Sequence, residues 1–359
     1  MDTNVRILAI NPGSTSTKIA VYEGGKVVFL KNIKHSTEEL GQFKKITDQY
    51  EYRRDIIYKE LQDAGVELES IRAVVGRGGL VKPIPSGVYK VNEAMKNDLR
   101  NSKMGEHASN LGGLIADDIA HKLSNAQAFI ADPVVVDELE PLARFSGHAL
   151  LERQSIFHAL NQKAIARRHA KAVAKRYEDM NLIVVHLGGG ISVGAHQNGK
   201  VIDVNQALDG DGPFSPERSG TLPMGKFLKM AFSGEYTYDE MKKMLVGKGG
   251  MASYTGSNDA YQVELAALAG DKKSNDVLQA MAYQTSKEVG AMACVLKGEV
   301  DAILITGGIA NSKWFCNQVM ERVHKIAPVF IYPGEDEMSA LAENGAMVIS
   351  GEIKAKEYN

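Results

Sequence analysis

Hydrophobic and polar positions divide the chain into short strands and longer helices. Residues 5–10 form a β-branched apolar run, which reads as a buried strand rather than a helix. A small polar turn, Pro12 to Ser16, follows, and then two more β-rich runs, 17–22 and 26–30, joined at Gly24-Gly25 as a tight hairpin. The same layout returns at 181–205, "NLIVVHLGGGISVGAHQNGKVIDVN", with a strand at 182–187, a turn at Gly188 to Ser192 and a hairpin at Asn198-Gly199-Lys200. Two copies of one supersecondary unit predict an α/β protein of two lobes related by duplication. Helical periodicity is clearest at 156–177, 277–296 and 339–349. A further apolar run, "VDAILITGGIANSKWF" at 300–315, predicts a buried strand, a close backbone approach at Gly307-Gly308 and a helix start at Asn311-Ser312.

Composition narrows the function classes. The chain has 359 residues, 44% hydrophobic and 24% charged, which suits a globular protein of about two domains. A formal charge of −2 supplies no basic field for nucleic acid or an anionic membrane surface, so small-molecule chemistry is the default expectation. Cys294 and Cys316 lack metal-ligand spacing and are both expected to be packing residues. The opening MDTNVR is not built like a signal peptide, and no apolar run approaches ~18 residues. A cytoplasmic protein is the resulting expectation.

In the P-loop and the dinucleotide fingerprint a glycine turn opens into a helix. Here a strand both enters and leaves the turn. Such a hairpin can still cradle phosphate oxygens with backbone N–H groups, the hydroxyls of Ser14, Thr15 and Ser16 and the Lys18 ammonium, with Gly13 allowing close approach. Taken singly it is equally a polar turn of ordinary turn residues. Its duplication favours a phosphate grip supplied by both halves, with the Gly307-Gly308 segment as candidate holder of a base.

The ordered set "NPGSTSTK", "HLGGGIS" and "ITGGIANS" resembles the two phosphate motifs and the adenosine motif of the acetate and sugar kinase, Hsp70 and actin superfamily. Together with "GRGGL", "FHALNQKAIA" and "ERSGTLPMG", it is similar to the acyl-phosphate-forming carboxylate kinases of the acetokinase family, on the butyrate kinase side rather than the acetate kinase side. The resemblance covers almost the whole chain. It implies a two-lobed ribonuclease H-like, actin-like ATPase fold, each lobe a mixed β-sheet flanked by helices with the ligands between them. The lobes are expected at 1–153 plus 337–359 and at 154–336. The implied reaction is reversible transfer of the γ-phosphoryl of ATP to a short-chain fatty acid, with ATP/ADP and Mg²⁺ as cofactors and a homo-oligomer as the assembly.

A carboxylate acceptor is already ionised at neutral pH, so this chemistry needs positive charge more than a base. Arg77 and Arg218 are the candidates at the phosphoryl site; the glycines around Arg77 are expected to clear room for an anion, although a lone arginine is commonly only solvated. By resemblance His158 hydrogen-bonds the transferring phosphoryl; the alternative is a packed histidine near a helix start. His186 is expected beside the second loop, and His107 reads as a helix-face histidine. Asn11, Ser14, Ser16 and Lys18 match the first phosphate motif, Gly188, Gly189 and Gly190 the second, and Gly307 and Gly308 the adenosine motif. Asp132 and Glu337 align with metal-linked carboxylates, Asp132 also with a catalytic role; otherwise Asp132 is a turn residue before Pro133 and Glu337 a first-turn helix acid, with Glu335 and Asp336 beside it.

Two departures from the acetate kinase pattern stand out. Gly189 replaces an asparagine, leaving backbone N–H groups to serve. Gly79 replaces an aliphatic residue and, with Phe157, is expected to line a roomier acyl pocket, where each buried methylene contributes about 0.8 kcal/mol. An acetate- or propionate-preferring carboxylate kinase, a sugar or polyol kinase and an Hsp70- or actin-type ATP module remain as alternatives on the same fold.

Overall fold

The computed structural model describes residues 5–334 and 337–359. Contacts divide the chain into two units, Met1–Val136 with Asp336–Asn359, and Asp137–Glu335.

In the first unit six strands form one sheet: β1 (Arg6–Pro12), β2 (Ser16–Glu23), β3 (Lys26–Lys34), β4 (Ile71–Arg77), β5 (Val88–Lys90) and β6 (Gln127–Ala131), in the order β3-β2-β1-β4-β6-β5. β1, β2 and β3 are antiparallel neighbours, while β1, β4 and β6 run parallel. The interior strands are almost continuously apolar because helices cover both faces. On one face of β4 the helix Asn110–His121 comes into backbone contact: a Cβ at Gly76 would lie 2.2 Å from the Gly112 carbonyl oxygen. On the other face the helix Glu337–Ile349 approaches through Gly345, where a Cβ would lie 2.7 Å from Val75 Cγ2. Edge strand β3 is mostly exposed and carries Lys26, Lys31 and Lys34, which discourage edge-to-edge pairing.

The second unit holds β7 (Leu182–Leu187), β8 (Ile191–Gln197), β9 (Lys200–Val204), β10 (Ala302–Gly307) and β11 (Val329–Pro333), ordered β11-β10-β7-β8-β9. This repeats β6-β4-β1-β2-β3 in order and in strand sense. The likeness extends to details. Gly24 and Gly25 have φ of 57° and 79°, Asn198 and Gly199 of 53° and 72°, so both hairpins have positive φ at both central residues, as a type I′ turn requires. Each is preceded by a register shift, at Val21/Tyr22 and at Ala195/His196. The helix Lys272–Val295 packs on this sheet, burying Met281 and Val289 with Val185 and Ile303.

Several sequence expectations shift. Residues 137–153, assigned to the first lobe from the sequence, make their ion pairs in the second unit: Lys163 with Glu138, and Arg153 with Asp203 at 2.9 Å. The helix expected over 156–177 spans Ala159–Ala172, and a separate 3₁₀ turn covers Tyr177–Asp179. The long helix starts at Lys272 because Asp271 caps it, accepting from the Ser274 N–H at 3.0 Å. Cys316 is buried as expected, but Cys294 is exposed on its helix and is not a packing residue. No helix among the described residues is long and apolar enough to cross a membrane.

Candidate active site

At the C-terminal end of β1 the chain turns through residues 13–15 into β2. The Gly13 N–H donates to the Ser16 carbonyl at 2.7 Å and closes the turn. Ser14 is exposed, Ser16 half-buried, and Lys18 lies directly opposite Asn11 in the β1–β2 ladder, so the two share a face. Three of the expected residues converge: Asn11 Nδ2 donates to Glu337 Oε2 at 2.6 Å, Arg77 donates to Asn11 Oδ1 at 3.3 Å, and Arg77 pairs with Glu337 Oε1 at 3.1 Å. They come from the ends of β1 and β4 and the first turn of the last helix, which the close packing at Gly76 and Gly345 brings together. Glu335 and Asp336 lie outside the described residues.

Packing bears on other expectations for this unit. The glycines beside Arg77 serve close packing: a Cβ at Gly76 would meet Gly112, and one at Gly78 would lie 2.5 Å from Pro133 Cβ. The space beside Gly79 is not acyl pocket, since a Cβ there would lie 2.6 Å from Asn110 Cα. Asp132 is buried, with φ at 37°, and its Oδ1 accepts from Ser86 Oγ at 2.6 Å and the Gly87 N–H at 2.8 Å. That carboxylate clasps the 86–87 loop. His107 precedes the helix rather than lying on it, and its Nδ1 is 2.8 Å from Ser109 Oγ. Sequence reasoning missed Arg53, a buried arginine behind the 13–17 loop. No motif marks it, and its helix, Tyr50–Asp63, is charged along much of its length.

In the second unit the Gly188 N–H donates to the Gly190 carbonyl at 3.0 Å, closing the β7–β8 turn. The "SPERS" segment, residues 215–219, clasps it. Ser215 Oγ donates to the Gly189 carbonyl at 2.6 Å and accepts from the Arg218 N–H at 3.2 Å. The Arg218 guanidinium, anchored on the Ala207 carbonyl, lies over Gly190, where a Cβ would come within 2.2 Å of Nη1. Thus Arg218 and the second glycine loop form one construction. Phe157, which immediately precedes His158 in sequence, is buried.

His158 and His186 stack with ring centroids 3.8 Å apart, and His186 Nδ1 is 2.8 Å from Asn161 Oδ1. A chain of hydrogen bonds runs from His196 to His158. Gln162 Nε2 donates to the Ser192 carbonyl at 3.1 Å, which fixes its amide orientation and points Oε1 at His196 Nε2, 2.9 Å away. Burial pushes the His196 pKa well below its ordinary value, so the neutral ring donates from Nε2 and accepts at Nδ1 from Tyr177 OH at 2.7 Å. Ser192 Oγ accepts from Gln162 at 2.8 Å and lies within hydrogen-bond distance of His158 Nδ1, at 2.9 Å.

Beside the second glycine loop lies a cavity of about 750 Å³ whose lining includes Gly189, Tyr261, Gly308, Asn311 and Trp314. Its size and mixed apolar and polar walls suit a small organic ligand. Gly307 and Gly308 do different things here. Gly307, at φ 97°, has the Leu187 carbonyl oxygen 2.3 Å from where a Cβ would be, while nothing lies within 4 Å of one at Gly308.

A sequence profile of the acetokinase family matches residues 142–353. Butyrate kinase 1 and butyrate kinase 2 of Clostridium acetobutylicum are each 55% identical to the chain over 353 residues, covering 98% of it and 99% of the relative. The chain belongs to the acetokinase family. As an acetokinase it is an ATP-dependent phosphotransferase with a carboxyl acceptor. The fold agrees: Porphyromonas gingivalis acetate kinase superposes with a TM-score of 0.79 at 18% identity, covering 96% of this chain and 100% of that one. A propionate kinase from Francisella tularensis gives 0.74 at 18% identity over 95% and 99%. This acetokinase therefore has the actin-like ATPase fold expected from its motifs.

Proposed function

We propose that this acetokinase transfers the γ-phosphoryl group of ATP reversibly to butyrate or a related short or branched fatty acid. A carboxylate oxygen forms the new bond to phosphorus as the bond to the ADP oxygen breaks in line, giving an acyl phosphate. The acyl preference rests on the 55% identity to two butyrate kinases across nearly the whole chain. The observation that carries the chemistry is the Asn11–Arg77–Glu337 cluster at the strand ends beside the first loop. It presents a guanidinium where two anions have to be drawn together.

In this reading Asn11, Ser14, Ser16 and Lys18 contact nucleotide phosphates, as do the N–H groups of Gly189 and Gly190, and the cavity at Gly308 takes the adenosine. Arg77 and Arg218 neutralise charge on the transferring group, and His158 hydrogen-bonds it. Mg²⁺ bound with ATP draws most of its ligands from phosphate and water, needs one or two carboxylates, and supplies charge neutralisation. Glu337 fits as such a carboxylate because its present partners are side chains that a ligand can displace. Asp132 fits less well, since its Oδ1 already accepts from the Ser86 hydroxyl and the Gly87 N–H.

Hydroxylamine trapping tests the proposal across straight and branched acids. ATP with butyrate should yield hydroxamate, with kcat/KM highest near four carbons. A profile peaking at acetate would remove the acyl assignment, and absence of hydroxamate with every acid would remove the reaction.

A further inference from the structure

The first loop is held from behind by a cation. Arg53 is 1% exposed, and its donors point into the turn. Nη1 donates to the Gly13 carbonyl at 2.8 Å, the Ser16 carbonyl at 3.1 Å and Thr17 Oγ1 at 3.0 Å. Nη2 donates to the Ser14 carbonyl at 3.3 Å, and both Nη2 and Nε donate to Gln49 Oε1, at 2.8 and 3.1 Å. Every one of these acceptors is neutral. Among the described residues no carboxylate forms an ion pair with Arg53, and burial draws its pKa down from the ordinary arginine value.

Two consequences follow from peptide geometry and charge. The C=O and N–H of a planar trans peptide point in opposite directions. Turning the Gly13 and Ser14 carbonyls onto the guanidinium therefore turns the Ser14 and Thr15 N–H groups to the other side of the loop. Among the described residues neither N–H donates to a backbone acceptor. A buried charge without a counter-charge is costly, and an anion bound across the loop offsets that cost.

We propose that Arg53 is a positioning residue for the nucleotide phosphates. It folds the 13–17 loop into a donor-outward form, and its uncompensated charge is balanced only when a polyphosphate binds. Arg53 touches the loop and not the ligand. The inference rests on the proposed reading of residues 11–18 as a phosphate site.

The test compares ATP, ADP and adenosine affinities, by calorimetry, for Arg53→Met, Arg53→Lys and Lys18→Met. Arg53→Met should weaken ATP and ADP at least tenfold while adenosine stays within twofold and KM for the carboxylate is unchanged. Arg53→Lys, which keeps the charge but not the fork, should recover part of the loss. Equal weakening of ATP and adenosine, or unchanged ATP binding in Arg53→Met, would overturn the proposal. If Arg53→Met does not fold, Arg53→Lys decides alone: selective loss of ATP over adenosine supports it and parallel change overturns it. Should Lys18→Met weaken ATP while Arg53→Met does not, the Arg53 role fails and the phosphate site stands. If both leave ATP unchanged, both readings fail.

Discussion

A methyl group added at Gly189 would meet only Glu217 Oε1 at 3.5 Å, whereas one at Gly190 would run into the Arg218 guanidinium. The main obstacle at Gly190 is the far end of a flexible side chain, with the Ala207 carbonyl oxygen at 3.2 Å a lesser one, so the fold can absorb the methyl largely by moving Arg218. Gly190→Ala should therefore unfold within about 1 kcal/mol of the parent yet lose roughly 10²-fold in kcat, the scale of a misplaced transition-state donor. Gly189→Ala should change neither, and urea denaturation with steady-state kinetics reads both. Glu288 offers a pH signature. Burial, then the nearby Asp211 and Asp203, push its carboxyl up to about 7 from an ordinary 4.5, against the opposing pull of Arg153 and Lys287. Because the folded state holds this proton more tightly, the group's contribution to stability falls as pH rises from about 4.5 to about 7 and stays low above that. Glu288→Gln should stabilise the protein at pH 8 by up to about 3 kcal/mol and much less at pH 5, measured by urea midpoints. At this scale the sequence was only partly legible. Asn11, Arg77 and Glu337 were named and do meet, but glycine beside arginine was ambiguous. Clearing space for a ligand and clearing space for a neighbouring backbone demand the same residue, and at Gly76, Gly78 and Gly79 the backbone or Pro133 takes the space.

Elements place the site through two close contacts on β4, and these differ in hardness. At Gly76 the obstruction is the Gly112 backbone; at Gly345 it is the Val75 and Ile7 side chains. Overpacking costs typically about 1–3 kcal/mol, more where nothing can rotate away. Gly76→Ala should accordingly cost about 3 kcal/mol or more in chemical denaturation, and Gly345→Ala about 1–2 kcal/mol. Since Arg77 follows Gly76 directly, the first variant should also lose kcat beyond what its residual folded fraction explains. Equal stability costs would mean that the helix Asn110–His121 shifts freely and that its contact does not position Arg77. The paired β-meanders could be read in advance because positive-φ hairpin residues and β-branched runs are local signals. Strand β5 could not: three residues at a sheet edge carry no periodicity, and they are held by pairing with β6.

For the whole molecule, the recurrence of one sheet order in two units explains why motifs separated by 176 residues have the same shape while serving different neighbours. The first turn is backed by buried Arg53, the second clasped by Ser215. Ligand linkage turns this into a measurement on the intact chain. A ligand that binds only the native state stabilises it by about 2.7 kcal/mol at a hundred times its Kd. ATP should therefore raise the unfolding temperature, and a variant that weakens a phosphate contact should reduce that rise at fixed ATP without much changing the ligand-free value. Lys18→Met removes a half-buried ammonium from the first unit, and Ser215→Ala removes the hydroxyl that holds the Gly189 carbonyl in the second. Each should cut the ATP-dependent rise, and adenosine, which lacks phosphates, should stabilise parent and Lys18→Met alike. An undiminished ATP response in one of the two would mean that the corresponding loop resembles its counterpart in shape alone, and the proposed phosphate contacts would then have to come from the other unit's turn.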